Sequence, residues 1–390
     1  MASEYTLIDT NDQMLELLEA VSGDDSVGMD TEADSLHHYR EKLCLIQLCS
    51  GGRHWIIDPL VGGLSVMPLM ELLAGREIVL HGADYDLRLL YRTYGFRPSR
   101  VFDTMIAAQL LGWPQYGLAA SVARVVGVEL SKHGQRADWS RRPLTEKLLT
   151  YAASDTRYLR PLIDHQREEL GRLGRLEWHH ESCRRVMAGA CVEHVPDTRD
   201  NWRLKGGRHL RGRSAAVMRE LWRWREETAR RLDRPPFKVL GNEYILDWAS
   251  YVAEHPDATI ADGPEAPRGL HEGRLASFQR ALEKALAMAP AQWPGEPRQE
   301  QCHRCRRVPE DLLKRVLGVR DDLARQLKIE PGILAAREAL KEMLLHHIEG
   351  FNGERREGPC LMRWQHDLLA PLLAPIFEQQ LQELPPTPDQ

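Results

Sequence analysis

The chain has 390 residues, 43% of them hydrophobic and 28% charged, with a formal net charge of −5. These values exclude a disordered chain and a uniformly basic nucleic-acid coat, and they fit two or three soluble domains. No apolar run approaches the ~18 residues of a membrane span, so no membrane association is expected.

In chain order, residues 5–8 read as a short strand, and Asn11 as the cap of a helix carrying Met14, Leu15, Leu17 and Leu18. Strands are expected at 27–32, 43–49 and 55–57, a helix around 67–74, a strand at 78–81 and a helix at 87–94. Pro143 opens a long helical stretch over 144–170, with Thr145, Glu146 and Lys147 in its first turn. Strands followed by strand–helix alternation give an α/β expectation: a mixed central sheet flanked by helices.

Gly206-Gly207 marks a linker, and helical patterning returns at 214–232, 241–253 and, after a Pro- and Gly-rich loop at 257–269, at 272–289. Pro290, Pro294 and Pro297 mark another boundary, 309–384 is helical again, and the tail at 385–388 should fray. Residues 225–232 resemble 320–327 at an offset of 95, and each segment is followed closely by proline, as in an internal repeat. From Arg203 to Lys238 twelve Lys or Arg stand against four Asp or Glu, which leaves −13 for the rest of the chain. An acidic half beside a basic patch fits an enzyme that grips a polyanion, and equally a solvated Arg-rich helix face.

The seven cysteines (Cys44, Cys49, Cys183, Cys191, Cys302, Cys305 and Cys360) form no regular framework. A reducing compartment is therefore expected, and with no leader-like start at residues 1–10 a cytoplasmic location. Cys302-His303-Arg304-Cys305 has the opening spacing of a zinc site, but Cys360 and His346-His347 lack matching ligand spacing, so free cysteines are the expectation.

Three acidic signatures carry the chemistry. In Asp30-Thr31-Glu32, alternation along a strand points both carboxylates to one face and Thr31 into the other layer. In His81-Gly82-Ala83-Asp84-Tyr85-Asp86, Asp86 follows a strand and opens a helix, with Asp84 as a competing cap. In Tyr151-Ala152-Ala153-Ser154-Asp155, Tyr151 and Asp155 are four apart and share a helix face. Singly, each also fits a plain structural role: a solvated strand end, a helix-dipole acid, a half-buried tyrosine. Converging together, Asp30, Glu32, Asp86 and Asp155 would repel one another unless cations are bound. Two Mg²⁺ ions (or Mn²⁺) would neutralise them and suit in-line displacement at phosphate. A tyrosine with a pKa near ~10 is a poor base at neutral pH, so Tyr151 is assigned water orientation.

This order of motifs resembles the DEDD superfamily of 3′→5′ exonucleases in its tyrosine branch, and more closely the ribonuclease D family. The similarity covers residues 5 to 170. It includes Leu43-Cys44-Leu45-Ile46-Gln47-Leu48, Val101-Phe102-Asp103-Thr104, Gly117-Leu118-Ala119-Ala120 and the stretch from Leu130 through Asp138-Trp139-Ser140-Arg141-Arg142-Pro143-Leu144. Residues 208–290 resemble an HRDC domain, most clearly at Arg234-Pro235-Pro236-Phe237-Lys238-Val239-Leu240.

The resemblance implies an RNase H-like exonuclease domain at 1–172, a helical linker at 173–207, an HRDC domain at 208–290 and a degenerate, HRDC-like helical domain at 297–385. It implies two divalent metals on Asp30, Glu32, Asp86 and Asp155, with Asp30 shared and Tyr151 positioning the attacking water. His81, Lys132 and Gln135 are further candidates for substrate contact. Nucleoside 5′-monophosphates would leave one at a time from RNA with a free 3′ end, such as tRNA precursors and other small structured RNAs. The helical domains would hold the RNA body by phosphate contacts, with Arg208, Arg211 and Arg213 as candidates. A monomer is expected. A 3′→5′ DNA exonuclease and a catalytically inert RNA-binding protein on the same fold are the alternatives.

Overall fold

The computed structural model describes residues 5–131, 134–193, 201–265, 270, 272–295, 308–348 and 361–383, and of 346–348 and 380–383 the backbone alone. Lys132, Cys302, Cys305 and Cys360 lie outside the described residues. Two compact units divide the chain: residues 1–32, 43–193 and 304–390 form one, 33–42 and 194–303 the other.

The first unit starts with β1 (Thr6–Ile8), α1 (Asn11–Ser22), β2 (Ser26–Ala33), β3 (Leu43–Ser50) and β4 (Arg53–Ile57). Then follow α2 (Met67–Ala74), β5 (Glu77–Leu80), α3 (Asp84–Tyr94), β6 (Arg100–Asp103), α4 (Thr104–Leu110) and α5 (Leu118–Val126). The sheet order is β1-β4-β3-β2-β5-β6. β1 runs parallel to β4, β3 is antiparallel to β4, and β2, β5 and β6 run parallel. This is the mixed sheet expected. β3 is buried along its whole length because helices cover both of its faces.

α1 is capped by Thr10, not Asn11. The Thr10 side chain accepts from the Gln13 amide while the Gln13 side chain accepts from the backbone of Thr10. That box needs a Gln or Glu three residues after the cap, and Gln13 supplies it only for Thr10. Asn11 instead ties the loop at Gly63 and Ser65.

The expected long helix is two, α6 (Glu146–Arg157) and α7 (Leu159–Arg172), parted at Tyr158. Pro161 has no N–H to offer the Arg157 carbonyl, so the helix restarts there. Residues 176–190 form α8 (Leu176–Ala190), which packs in the first unit with His179 against the Phe102 ring, centroids 4.1 Å apart. Gly206-Gly207 lies in the second unit, where a Cβ on Gly207 would strike Met218 and Leu246.

The second unit holds α9 (Gly212–Leu232), α10 (Pro236–Val239), α11 (Asn242–Glu254) and α12 (Glu272–Leu286) around Trp224, Trp248, Phe278 and Leu282. The segment after β2 joins it: His38 Nδ1 is 2.7 Å from Asp233 Oδ2, and the Tyr39 amide donates to Asp233 Oδ1. The chain's last helices, α13 (Glu310–Leu327), α14 (Pro331–Leu334), α15 (Arg337–Ile348) and α16 (Arg363–Glu383), share a hydrophobic core with the first unit. There Trp364 stacks on Trp178 at 4.8 Å, and Arg175 bridges the carbonyls of Leu110 and Leu327.

The repeat is structural as well as sequential. α9 ends on Asp233 (φ 45°) and α13 on Lys328 (φ 54°), both left-handed caps, and each leads to a four-residue helix opened by proline. The Arg225 guanidinium donates to the Leu240 carbonyl, and that of Arg320 to the Ala335 carbonyl. Cap, proline, arginine and acceptor all recur at the same offset of 95.

Candidate active site

Over residues 29–32 of β2 exposure alternates, so Asp30 and Glu32 share the partly open face and Thr31 the buried one. α6 packs across β3 and β4 and carries Asp155 to that face. One oxygen from each of Asp30, Glu32 and Asp155 lies within 4.8 Å of the others. Tyr151, one turn before Asp155, hydrogen-bonds its carboxylate. Asp86 is buried on the first turn of α3 and accepts from the Thr31 hydroxyl at 2.5 Å. It stands outside the three-carboxylate group but close enough to repel Asp30 and Glu32.

Thr31 therefore does more than fill the other layer. β2 pairs with β5 only through Gly28, and beyond that point its edge is open toward α3. Sequence alternation gives the face of Thr31 but not the early end of the strand pairing.

The β5–α3 turn is held by Asp103, whose carboxylate accepts from the amides of Gly82, Ala83, Met105 and Ile106. Gly82 turns the chain at φ 79°, a conformation that favours glycine. His81 Nδ1 lies 2.9 Å from the Thr104 hydroxyl, and burial holds its imidazole below the ordinary pKa, against the pull of Asp103. Gln135 is exposed on the loop before α6.

Burial and mutual repulsion raise the pKa of every carboxylate in the cluster. Asp30 is raised well above the carboxylate range, first by desolvation and then by Asp86, Asp155 and Glu32. Glu32 is pushed up to about 9 by desolvation, then by Asp155 and Asp86. Asp86 and Asp155 rise to about 6, again by desolvation, with the Thr31 and Tyr151 hydroxyls opposing. All donors are hard oxygens, and no cationic side chain relieves them in these shifts, so the residues fit a divalent cation.

A stability prediction follows. Folded values of about 6 and 9 against ordinary ones of 3.8 and 4.5 mean that the metal-free native state holds more protons than the unfolded one. Their contribution is therefore complete below about pH 4 and falls as pH rises, until it is gone above about 6 for Asp86 and Asp155 and above about 9 for Glu32. Mg²⁺ should raise the melting temperature of EDTA-treated protein strongly at pH 8.5 and little at pH 5. An equal rise at both would contradict the electrostatic account.

Residues 5–171 match the 3′–5′ exonuclease model and residues 214–257 the HRDC domain model. Ribonuclease D of Xanthomonas oryzae pv. oryzae is 30% identical over 90% of this chain and 93% of its own length. The chain belongs to the ribonuclease D family. Ribonuclease D of Gluconacetobacter diazotrophicus is 29% identical over 87% of this chain and 86% of its own. The crystal structure of Escherichia coli RNase D, an exoribonuclease involved in structured RNA processing, superposes with a TM-score of 0.69 at 27% identity, covering 96% and 99% of the two chains. As a ribonuclease D, this chain is a 3′→5′ exoribonuclease. Among the described residues, no helix is long and apolar enough to cross a membrane, and Cys44, Cys49, Cys183 and Cys191 are buried.

Proposed function

We propose that this chain trims the 3′ ends of tRNA precursors and other small structured RNAs, acting as a cytoplasmic monomer and releasing nucleoside 5′-monophosphates. The observation that carries the reading is the convergence of Asp30, Glu32 and Asp155, with Asp86 beside them. These four carboxylates would hold two divalent cations, Mg²⁺ or Mn²⁺, with Asp30 shared. When bound, such ions supply an activated water and neutralise charge at the scissile phosphate.

Tyr151 orients the attacking water through its hydroxyl; its pKa lies well above the ordinary value, raised first by burial, so it does not serve as the base. The water oxygen bonds to phosphorus, the bond to the 3′ oxygen breaks, and the shortened RNA keeps a 3′ hydroxyl. His81 and Gln135 flank the path of the terminal nucleotide, and Lys132 is proposed with them. The helical unit holds the RNA body by phosphate contacts. Arg208 and Arg211 are exposed there, whereas the Arg213 guanidinium donates to the carbonyls of Pro256, Ala258 and Leu286 and serves the fold. The recurrence at an offset of 95 supports reading α13–α15 as a degenerate second HRDC-like copy.

Two oligomers of one sequence, RNA and DNA, labelled at the 5′ end, test substrate choice. A Mg²⁺-dependent ladder shrinking from the 3′ end on RNA is expected. A ladder on DNA alone would overturn the RNA assignment.

A further inference from the structure

Tyr151 is placed from two sides. α6 supplies its backbone, and the strap over residues 134–143 closes on its ring. The strap is anchored by Arg142, whose guanidinium meets both Asp58 oxygens, at 2.5 and 2.6 Å, and donates to the carbonyls of Trp139 and Cys44. Trp139 is buried in the cluster formed by Cys44, Leu45, Ile56, Ala152 and Ala153, with its ring centroid 6.0 Å from that of Tyr151.

Gly134 is buried against the same ring. A Cβ built there would lie 2.5 Å from Tyr151 Cε1 and nearer still to Cδ1 and Cγ, inside any real carbon–carbon approach. The lack of a side chain at Gly134 is therefore required by space.

We propose that Gly134 is a positioning residue for the tyrosine: its bare Cα lets the strap press on the ring and set where the hydroxyl meets Asp155 and the water. This rests on the water-orienting reading of Tyr151. An added methyl must push either the ring or the strap, and misplacing a reacting group by ~1 Å can cost about 10²-fold. The strap also carries Gln135, so ring position and approach of the RNA end are set by one segment.

The experiment is a double-mutant cycle on a short 5′-labelled RNA with Mg²⁺. Gly134→Ala is expected to lower kcat about 10–100-fold with KM nearly unchanged. In a Tyr151→Phe background the same change should cost little more, because the ring and its clash remain but the hydroxyl has gone. Trp139→Phe, a milder change on the same ring, should show the same dependence on the hydroxyl and serves if Gly134→Ala folds poorly. Equal losses in both backgrounds, or full activity in Gly134→Ala, would overturn the positioning role while leaving the tyrosine reading intact. Wild-type activity in Tyr151→Phe itself would overturn the tyrosine reading and this inference with it.

Discussion

Asp30→Asn should lower 3′→5′ exoribonuclease activity by at least ~10³-fold, about 4 kcal/mol of transition-state stabilisation, and yet raise the melting temperature of the metal-free protein at pH 8. Asp30 is repelled by each of its three acidic neighbours, and burial denies it solvation. An amide keeps the shape, removes the charge and relieves Glu32, Asp86 and Asp155 together. The proposed shared metal ligand is thus a stability liability retained for chemistry, since natural sites keep such strain where function needs it. Thermal melts in EDTA and single-turnover rates in Mg²⁺ check both halves. Activity retained within tenfold would remove Asp30 from the reaction, and a lowered metal-free melting temperature would refute the repulsion.

Arg142→Ala should destabilise the catalytic unit by roughly 2–4 kcal/mol, below the range for a fully buried pair because the Arg142 side chain is 29% exposed while that of Asp58 is 7%. Among the described residues it would leave the Asp58 carboxylate with one remaining backbone donor, Leu60, and free the strap that carries Trp139 and Gly134. Arg142→Lys should recover only part of this, because an ammonium cannot make the two-point contact with the carboxylate. Urea unfolding midpoints measure the loss. A change under about 1 kcal/mol, the range of surface pairs, would mean that the strap is held by its apolar contacts alone.

Much of the site was legible because its signals are local. Asp30 and Glu32 share a face by strand alternation, and Tyr151 and Asp155 by helical spacing; both are fixed within a few residues. The structure brings Asp155 to the strand pair as the motif order implies, and sets Asp86 just behind, on Thr31.

What was not legible is set across long sequence distances. Asp103, which fixes the β5–α3 turn, is one acid among many until four amides converge on it. β6 and α4 are short and gave too few residues for a periodic signal. Helical patterning in α13–α16 shows an apolar face but not which surface covers it. That surface proved to be the catalytic unit's α4 and α8, through Trp178 and Arg175. Gly134 is invisible in sequence because its requirement comes from a ring seventeen positions away.

The most direct test is product analysis of uniformly labelled RNA with Mg²⁺, comparing the wild-type chain with Asp155→Ala. Nucleoside 5′-monophosphates alone, abolished by EDTA and by Asp155→Ala, are the expected result. Internal fragments, or undiminished release by Asp155→Ala, would contradict the assignment of this carboxylate cluster as the hydrolytic centre.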